Sequence, residues 1–364
     1  MNQFYKEKLC EVLKQNNIDA MLIAPSEELE FILGHTTHIC ERFQALFIKN
    51  SGEYFYVCNM LTKDEISAYM DGNKVYGWYD GDGFIPTVKK ALEENGLENA
   101  VIGVNSTERA CLVLDIMANT NVKFVNGKPF LERMRICKTE EEKENLRIAA
   151  KITDETYYEI LKFAKAGMKE KDVVDFIKQE FAKRGADFGF AIIASGENAA
   201  LPHYNDDSRV IEENDVLLCD FGCVYKGLCA DMTRTFFVGS ATEEQRKMYD
   251  FVLRSQQAGV DAAVNGAFVP DVDKAARDII DESGYGATFV TRLGHGIGYS
   301  IHEAPDIKQS NPIYLEPGMA FSIEPGIYRV GEFGIRIEDI VLITEDGHEV
   351  LNKATKELIV VNNK

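Results

Sequence analysis

The chain has 364 residues, with 40 Lys or Arg against 59 Asp or Glu, for a formal net charge of −19. Apolar residues make up 45% and charged residues 27% of it, which excludes a disordered or low-complexity chain, and the length predicts two domains. The acidic balance argues against a nucleic-acid backbone binder, and no apolar run approaches the roughly 20 residues that cross a bilayer.

The start, Met1 to Glu7, shows no apolar stretch of the signal-peptide type. The eight cysteines are scattered without a Cys-x-x-Cys pair. Together these features predict a cytoplasmic protein with reduced thiols. Cys219, Cys223 and Cys229 are read as small buried apolar residues rather than metal ligands.

Residues 3–16 read as an amphipathic helix and Asp19–Ala24 as a strand. Residues 43–49 and 53–58 flank Asn50-Ser51-Gly52 as a hairpin. Alternating helices and strands follow to about residue 125, with a strand at 100–104, which is an α/β pattern. Lys128-Pro129-Phe130 reads as a break, and the domain boundary is placed there, giving domains 1–130 and 131–364. Thr139 and Glu142 form a capping box at the start of a long helix, whose apolar residues recur at helical spacing to Ala164. A second helix is predicted over 172–183. Strands then dominate 190–238 and 315–360, separated by helices near 242–264 and 271–283. Such segregation of helices from an antiparallel sheet predicts an α+β second domain.

The chemistry lies in that domain. The apolar strand Val216–Cys219 runs into Asp220, and the chain turns near Tyr225-Lys226-Gly227 and returns through Asp231. A turn centred on Tyr225 and Lys226 makes the two aspartates direct partners. A later centre makes them diagonal neighbours, still on one face within roughly 5–8 Å. Two carboxylates so placed repel unless a cation lies between them. The pattern repeats at Glu324 and Glu338, which are symmetric about Gly331. Between the two hairpins lies Gly294-His295-Gly296-Ile297-Gly298, whose glycines let the backbone approach closely and leave His295 as the reactive group. Four carboxylates and one imidazole suit two divalent ions, most naturally Mn²⁺, with Co²⁺, Zn²⁺ or Fe²⁺ as alternatives. Taken singly, each of these segments has an ordinary structural explanation as a strand end, a surface ion pair or a turn. Their joint symmetry favours a metal centre.

These segments, with Ala230-Asp231-Met232-Thr233-Arg234-Thr235, His302-Glu303, Ile323-Glu324-Pro325-Gly326 and Arg336-Ile337-Glu338-Asp339, resemble the pita-bread metallopeptidases. That family includes methionine aminopeptidase, aminopeptidase P, prolidase and the non-metal creatinase. The first domain and the capped helix resemble the aminopeptidase P and prolidase branch. The resemblance implies a smaller creatinase-type α/β domain before a pita-bread catalytic domain, and a dinuclear exopeptidase that hydrolyses Xaa-Pro bonds at the N-terminus of peptides or dipeptides. It implies that Asp220 chelates one ion, that His295 and Glu324 bind the other, and that Asp231 and Glu338 bridge both. By the same resemblance Glu324 also relays a proton, His203 (in Leu201-Pro202-His203-Tyr204) and His302 face the substrate, and Arg336 fixes a carboxylate ligand. Small peptides are the expected substrates and a homodimer the expected assembly. His35 and His38 are read as loop residues, with a minor substrate role across a dimer left open, and His348 as an exposed turn.

One departure stands out. Dipeptide-specific prolidases are expected to carry an arginine near position 306 for the substrate's C-terminal carboxylate. Here the residue is Asp306, which would repel that group and favour longer peptides, unless Asp306 is simply solvated and another cation serves. Hydrolysis of a different C–N bond and a non-catalytic binding protein on the same fold are the remaining alternatives.

Overall fold

The computed structural model describes residues 1–362, so the last two positions of the second expected domain lie outside the described residues. The chain divides into two compact units, Met1–Arg135 and a second beginning at Ile136.

The first unit is a six-stranded mixed sheet: β1 (Ala20–Ile23), β2 (Ala45–Lys49), β3 (Tyr54–Asn59), β4 (Val75–Trp78), β5 (Val101–Val104) and β6 (Lys123–Asn126), in the order β4-β3-β2-β1-β5-β6. β1, β2 and β3 pair antiparallel, and the outer pairings are parallel. The hairpin register places Ile48 opposite Tyr54, which centres its turn on Ser51 as the Asn50-Ser51-Gly52 signal predicts. Apolar clusters lie on both faces of the sheet, since alternate residues of one strand point to opposite sides. Lys128-Pro129-Phe130 does not break the chain: it opens the helix Lys128–Arg135. Proline in a first helical turn removes no intrahelical bond. His35 sits in a loop, 2.7 Å from Glu65 and stacked on Tyr69 at 4.1 Å.

Among the described residues the second unit holds two five-stranded sheets and a two-stranded hairpin. One is β7 (Asp187–Ser195), β8 (Val216–Tyr225), β9 (Leu228–Cys229), β10 (Met232–Val238) and, at its edge, the C-terminal strand Val360–Val361, in the order Val360–Val361, β10, β8, β7, with β9 also on β8. The other joins β11 (Gly294–Gly296), β12 (Glu303–Ile307), β13 (Ala320–Ile323), β16 (Asp339–Thr344) and β17 (Gly347–Val350), in the order β12-β11-β13-β16-β17; β14 (Gly326–Arg329) and β15 (Phe333–Arg336) form a separate hairpin between β13 and β16. With the strand Val360–Val361 counted as β18, every described strand of the unit is antiparallel to its neighbours except in the β10–β18 pair.

The helices Glu140–Phe163 and Glu170–Lys183 pack on the first sheet, and Glu243–Ala262 with Val269–Glu282 on the second. Thr139 and Thr242 each close a capping box, with Glu142 and Gln245, so two of the long helices start where their sequences specify. Cys219, Cys223 and Cys229 are buried without disulfides, and burial raises the Cys219 and Cys223 thiol pKa values, which keeps both neutral and unsuited to metal. His348 is not in an exposed turn. It lies half-buried in β17, opposite Ile343, because the turn ends at Asp346 and the strand begins at Gly347.

Candidate metal centre

The β8–β10 register places Thr233 opposite Asp220 and Met232 opposite Phe221. Lys226 (φ +48°) and Gly227 (φ +80°) form the turn between β8 and β9. Two consecutive positive φ angles are the requirement of a two-residue hairpin turn whose twist matches its strands. The turn thus centres between Lys226 and Gly227, and Asp220 and Asp231 are diagonal neighbours rather than direct partners. The second pair is different. Gly326 lies opposite Arg336 and Ile323 opposite Asp339, one register running through two strand pairs with Gly331 at its centre. Glu324 and Glu338 occupy matching positions where that ladder is interrupted. The interruption frees both backbones from regular pairing and leaves both carboxylates directed into a cleft of about 790 Å³.

Asp220, Asp231, His295, His302, Glu324 and Glu338 all line this cleft, as do His203 and Arg336. Donor atoms of Asp231, His295 and Glu338 lie within 4.8 Å of one another. The His295 Nδ1–H donates to the carbonyl of Gly296 at 3.1 Å, which turns Nε2 toward the carboxylates, 3.1 Å from Glu324 Oε1 and 3.7 Å from Asp231 Oδ2. The Ser322 hydroxyl accepts from the His295 backbone N–H at 3.0 Å and donates to Glu324 Oε1 at 2.9 Å, so one side chain orients two others.

Arg336 is buried behind the carboxylates. It donates to Asp220, to Thr233 Oγ1 at 3.0 Å and to the Tyr328 hydroxyl at 2.9 Å. Thr233 Oγ1 donates in turn to Glu338 Oε2 at 2.7 Å. A guanidinium thus holds one carboxylate directly and a second through a hydroxyl. Thr233 lies within the sequence motif and Ser322 just before Ile323, but strand propensity explains both, and nothing in the sequence marks them as orienting residues.

The electrostatics call for cations. Burial raises the Asp231 pKa well above its usual value, and the charges of Glu338, Asp220 and Glu324 add to it. Burial and the charges of Glu324 and Asp220 do the same to Glu338. Burial also opposes ionisation of Glu324, but His295, the charge of Arg336 and the Ser322 hydrogen bond together bring the carboxyl below its ordinary value. Asp220 Oδ1, Asp231 Oδ1 and Glu338 Oε1 are buried without a hydrogen-bond partner. Buried carboxylate oxygens left bare are costly, and divalent cations satisfy them in one stroke. The donor set fits the metal that the sequence motif implies.

His302 stands edge-on to His295, with ring centroids 4.2 Å apart. Lost hydration, followed by the adjacent His295, lowers its pKa to about 4, so its imidazole is neutral at physiological pH. His203 lies on an exposed loop at the rim of the cleft. Asp306 is not bare: it pairs with Arg292 at 2.9 Å and with Lys308 at 2.6 Å, and both cations line the cleft.

Comparison with known proteins agrees with this architecture. The model of metallopeptidase family M24 matches residues 144–345, and that of the creatinase/prolidase N-terminal domain matches residues 6–137. The chain is 35% identical over 354 residues to a probable dipeptidase, PepE, of Mycobacterium tuberculosis, covering 94% of this chain and 92% of that protein. It superposes on dipeptidase PepE from Mycobacterium ulcerans with a TM-score of 0.93 at 32% identity, over 98% of this chain and 97% of that one. The Xaa-Pro dipeptidase from Bacillus anthracis gives a TM-score of 0.86 at 32% identity, over 98% and 99% of the two chains. Among the described residues no helix is long and apolar enough to cross a membrane.

Proposed function

The chain belongs to metallopeptidase family M24, and from that membership we propose that it is a metal-dependent peptidase hydrolysing Xaa-Pro bonds in small peptides. The observation that carries this reading is the set of buried, partnerless carboxylate oxygens on Asp220, Asp231 and Glu338 beside His295 Nε2. Solved relatives that superpose on nearly the whole chain include an Xaa-Pro dipeptidase and a prolidase.

In this reading Asp220, His295, Glu324, Asp231 and Glu338 would hold two divalent ions, Asp220 on one, His295 and Glu324 on the other and Asp231 and Glu338 shared by both, with Mn²⁺ as the preferred metal. Bound there, such ions lower the pKa of water and polarise a carbonyl. The remaining work falls to the protein. Glu324, whose ionised form the charge of Arg336 and the Ser322 hydroxyl favour, accepts the proton of the attacking water at its carboxylate and returns it to the departing prolyl nitrogen. Neutral His302 donates a ring N–H to the carbonyl oxygen as charge develops on it, and His203 supports the same oxygen from the loop. Ser322 and Thr233 keep Glu324 and Glu338 in place through the reaction. Phe190, Ile192 and Ile301 give the cleft an apolar wall that suits a pyrrolidine ring.

The test is hydrolysis by metal-stripped protein with and without Mn²⁺, on Ala-Pro and on Ala-Ala. Metal-dependent cleavage that favours Ala-Pro is expected. Two bound ions with no peptide hydrolysis would refute the proposal, and equal rates on the two peptides would remove its proline preference.

A further inference from the structure

Among the described residues no hydrogen bond reaches the His203 imidazole, so its place at the cleft is set through its backbone. That backbone is a turn: the Tyr204 N–H donates to the Leu201 carbonyl at 3.1 Å, with Pro202 and His203 at the centre. Proline suits the second position of a β-turn because its ring already fixes the φ required there. One side of the turn is tied to the metal centre, where Arg336 Nη1 donates to the Pro202 carbonyl at 3.4 Å. The other side is tied to Glu170, whose Oε2 accepts from the Tyr204 hydroxyl at 2.9 Å.

Glu170 opens the helix Glu170–Lys183. A first-turn glutamate ordinarily stays in water, where the helix N-terminus favours its charge. This one is fully buried. Its Oε1 accepts from the Ser195 backbone N–H at 2.6 Å, from the Ser195 hydroxyl at 2.8 Å and from Asn198 Nδ2 at 3.2 Å. Its own backbone N–H donates to the Arg209 carbonyl at 3.0 Å, and that of Lys171 to the Asp207 carbonyl at 2.9 Å. The otherwise unpaired donors of the helix start thus hold the returning chain. Arg209 closes the base of the loop by donating to the Ser195 hydroxyl at 2.6 Å and to Asp215 Oδ1 at 3.2 Å. Residues 195–209 are therefore bound to Glu170 at their start, at the turn and at their end. A buried carboxyl is costly unless hydrogen bonds answer it. Here every side-chain bond of Glu170 goes to the segment that carries His203.

Resting on the peptidase reading above, we propose that Glu170 is a positioning residue for the reaction, acting through the Tyr204 hydroxyl to keep the His203 imidazole directed at the substrate carbonyl. Arg336 and Glu170 hold the turn from its two sides. The ring is then in place before substrate arrives, and the cost of ordering it does not fall on the reaction.

The test is Tyr204→Phe, which removes the hydroxyl and keeps the ring, made in the wild type and in His203→Ala and assayed as Mn²⁺-loaded protein on Ala-Pro. Because a small misplacement of a reacting group is costly, Y204F is expected to lower kcat about 10–100-fold. KM should stay within about twofold, as for an interaction made in the transition state. Once His203 is absent, Y204F should change kcat less than about twofold, since the two substitutions then remove one and the same contribution. A second measurement needs no substrate. In protein labelled with ¹³C-histidine, the His203 Cε1–Hε1 cross-peak is assigned by its absence from H203A. It is expected to move toward the position of free histidine in Y204F, and in the same direction in Glu170→Gln, while the signals of His35, His38 and His348 stay in place. A Y204F loss of equal size with and without His203 is what a merely structural role produces, and it overturns the proposal. So does a His203 cross-peak that does not move in a Y204F protein of unchanged melting temperature. A wild type that cleaves no peptide refutes the peptidase reading alone, and the cross-peak then decides by itself whether Glu170 holds His203.

Discussion

Replacing Thr233 by Val removes one hydroxyl from the fully buried link between Arg336 and Glu338 and leaves the side-chain shape nearly unchanged. Two bonds are lost, from Thr233 to Glu338 Oε2 at 2.7 Å and from Arg336 Nε to Thr233 at 3.0 Å. Each involves a charged group, worth about 1.5–3 kcal/mol. The guanidinium keeps its bonds to Asp220 and Tyr328, so the greater loss falls on Glu338. Its other oxygen already has no partner, and the Thr233 hydroxyl, ahead of the Arg336 charge, opposes the rise of its pKa. Without that hydroxyl the proton competes better with metal and the carboxylate is free to swing. Affinity for Mn²⁺ at pH 7 should fall about 10–100-fold, as for the loss of other groups that orient metal ligands, and should recover more steeply as pH rises. Calorimetric titration at several pH values reads both effects. Thr233→Ser retains the hydroxyl and should stay near wild type in affinity, at a cost of about 1 kcal/mol for the missing methyl. A Thr233→Val protein that binds Mn²⁺ within twofold of wild type at every pH would refute the argument.

Glu324→Gln keeps the shape but cannot take a proton, so kcat should drop about 10²–10⁴-fold; a variant within tenfold of wild type would remove Glu324 from the proton relay. Because Asp231 and Glu338 hold protons above their ordinary range in the metal-free protein, metal binding should release protons, seen as a binding enthalpy that varies with the buffer's ionisation heat. The same shifts set the sign of the pH effect on stability. The native state keeps protons that the unfolded chain gives up, so the metal-free protein should lose stability as pH rises above the ordinary carboxylate range of about 4. A melting temperature independent of pH between 5 and 8 in metal-free protein would contradict this. In Gly294→Ala the new Cβ would lie 1.8 Å from the Ser322 carbonyl oxygen. That atom is backbone in the paired strand β13, so the clash should cost about 3 kcal/mol or more and weaken metal binding through His295. An unchanged melting temperature would show that β11 and β13 are not this close.

Much of the centre is legible in the chain because hairpins convert sequence symmetry into spatial proximity. Glu324 and Glu338 are equidistant from Gly331, and the observed register keeps that symmetry. The interruption of the strands around Glu324 and Glu338 is not legible, since Phe321–Ile323 reads as a strand ending on Glu324 and residues 335–341 as one continuous strand carrying Glu338. For Asp220 and Asp231 the sequence left two registers open, and the positive φ angles at Lys226 and Gly227 decided for the diagonal one. The helix at Lys128–Arg135 was hidden because proline reads as a breaker, although the first turn tolerates it.

The residue types decide the chemistry. Four carboxylates and an imidazole, carried by glycine-bounded hairpins, are a hard-cation set wherever they meet, and amphipathic periods with capping boxes specify the helices that carry the sheets. Local patterns of this kind act over a few residues, so they can be read in sequence. Tertiary structure alone decides which groups answer which. Arg336 reaches Asp220 across 116 positions and Thr233 reaches Glu338 across 105, while Asp306 meets Arg292 because β11 and β12 pair. Whether a lone aspartate stands bare or is paired with cations depends on such long-range partners, because the energy of a charge is set by its neighbours in space and not by those in the chain.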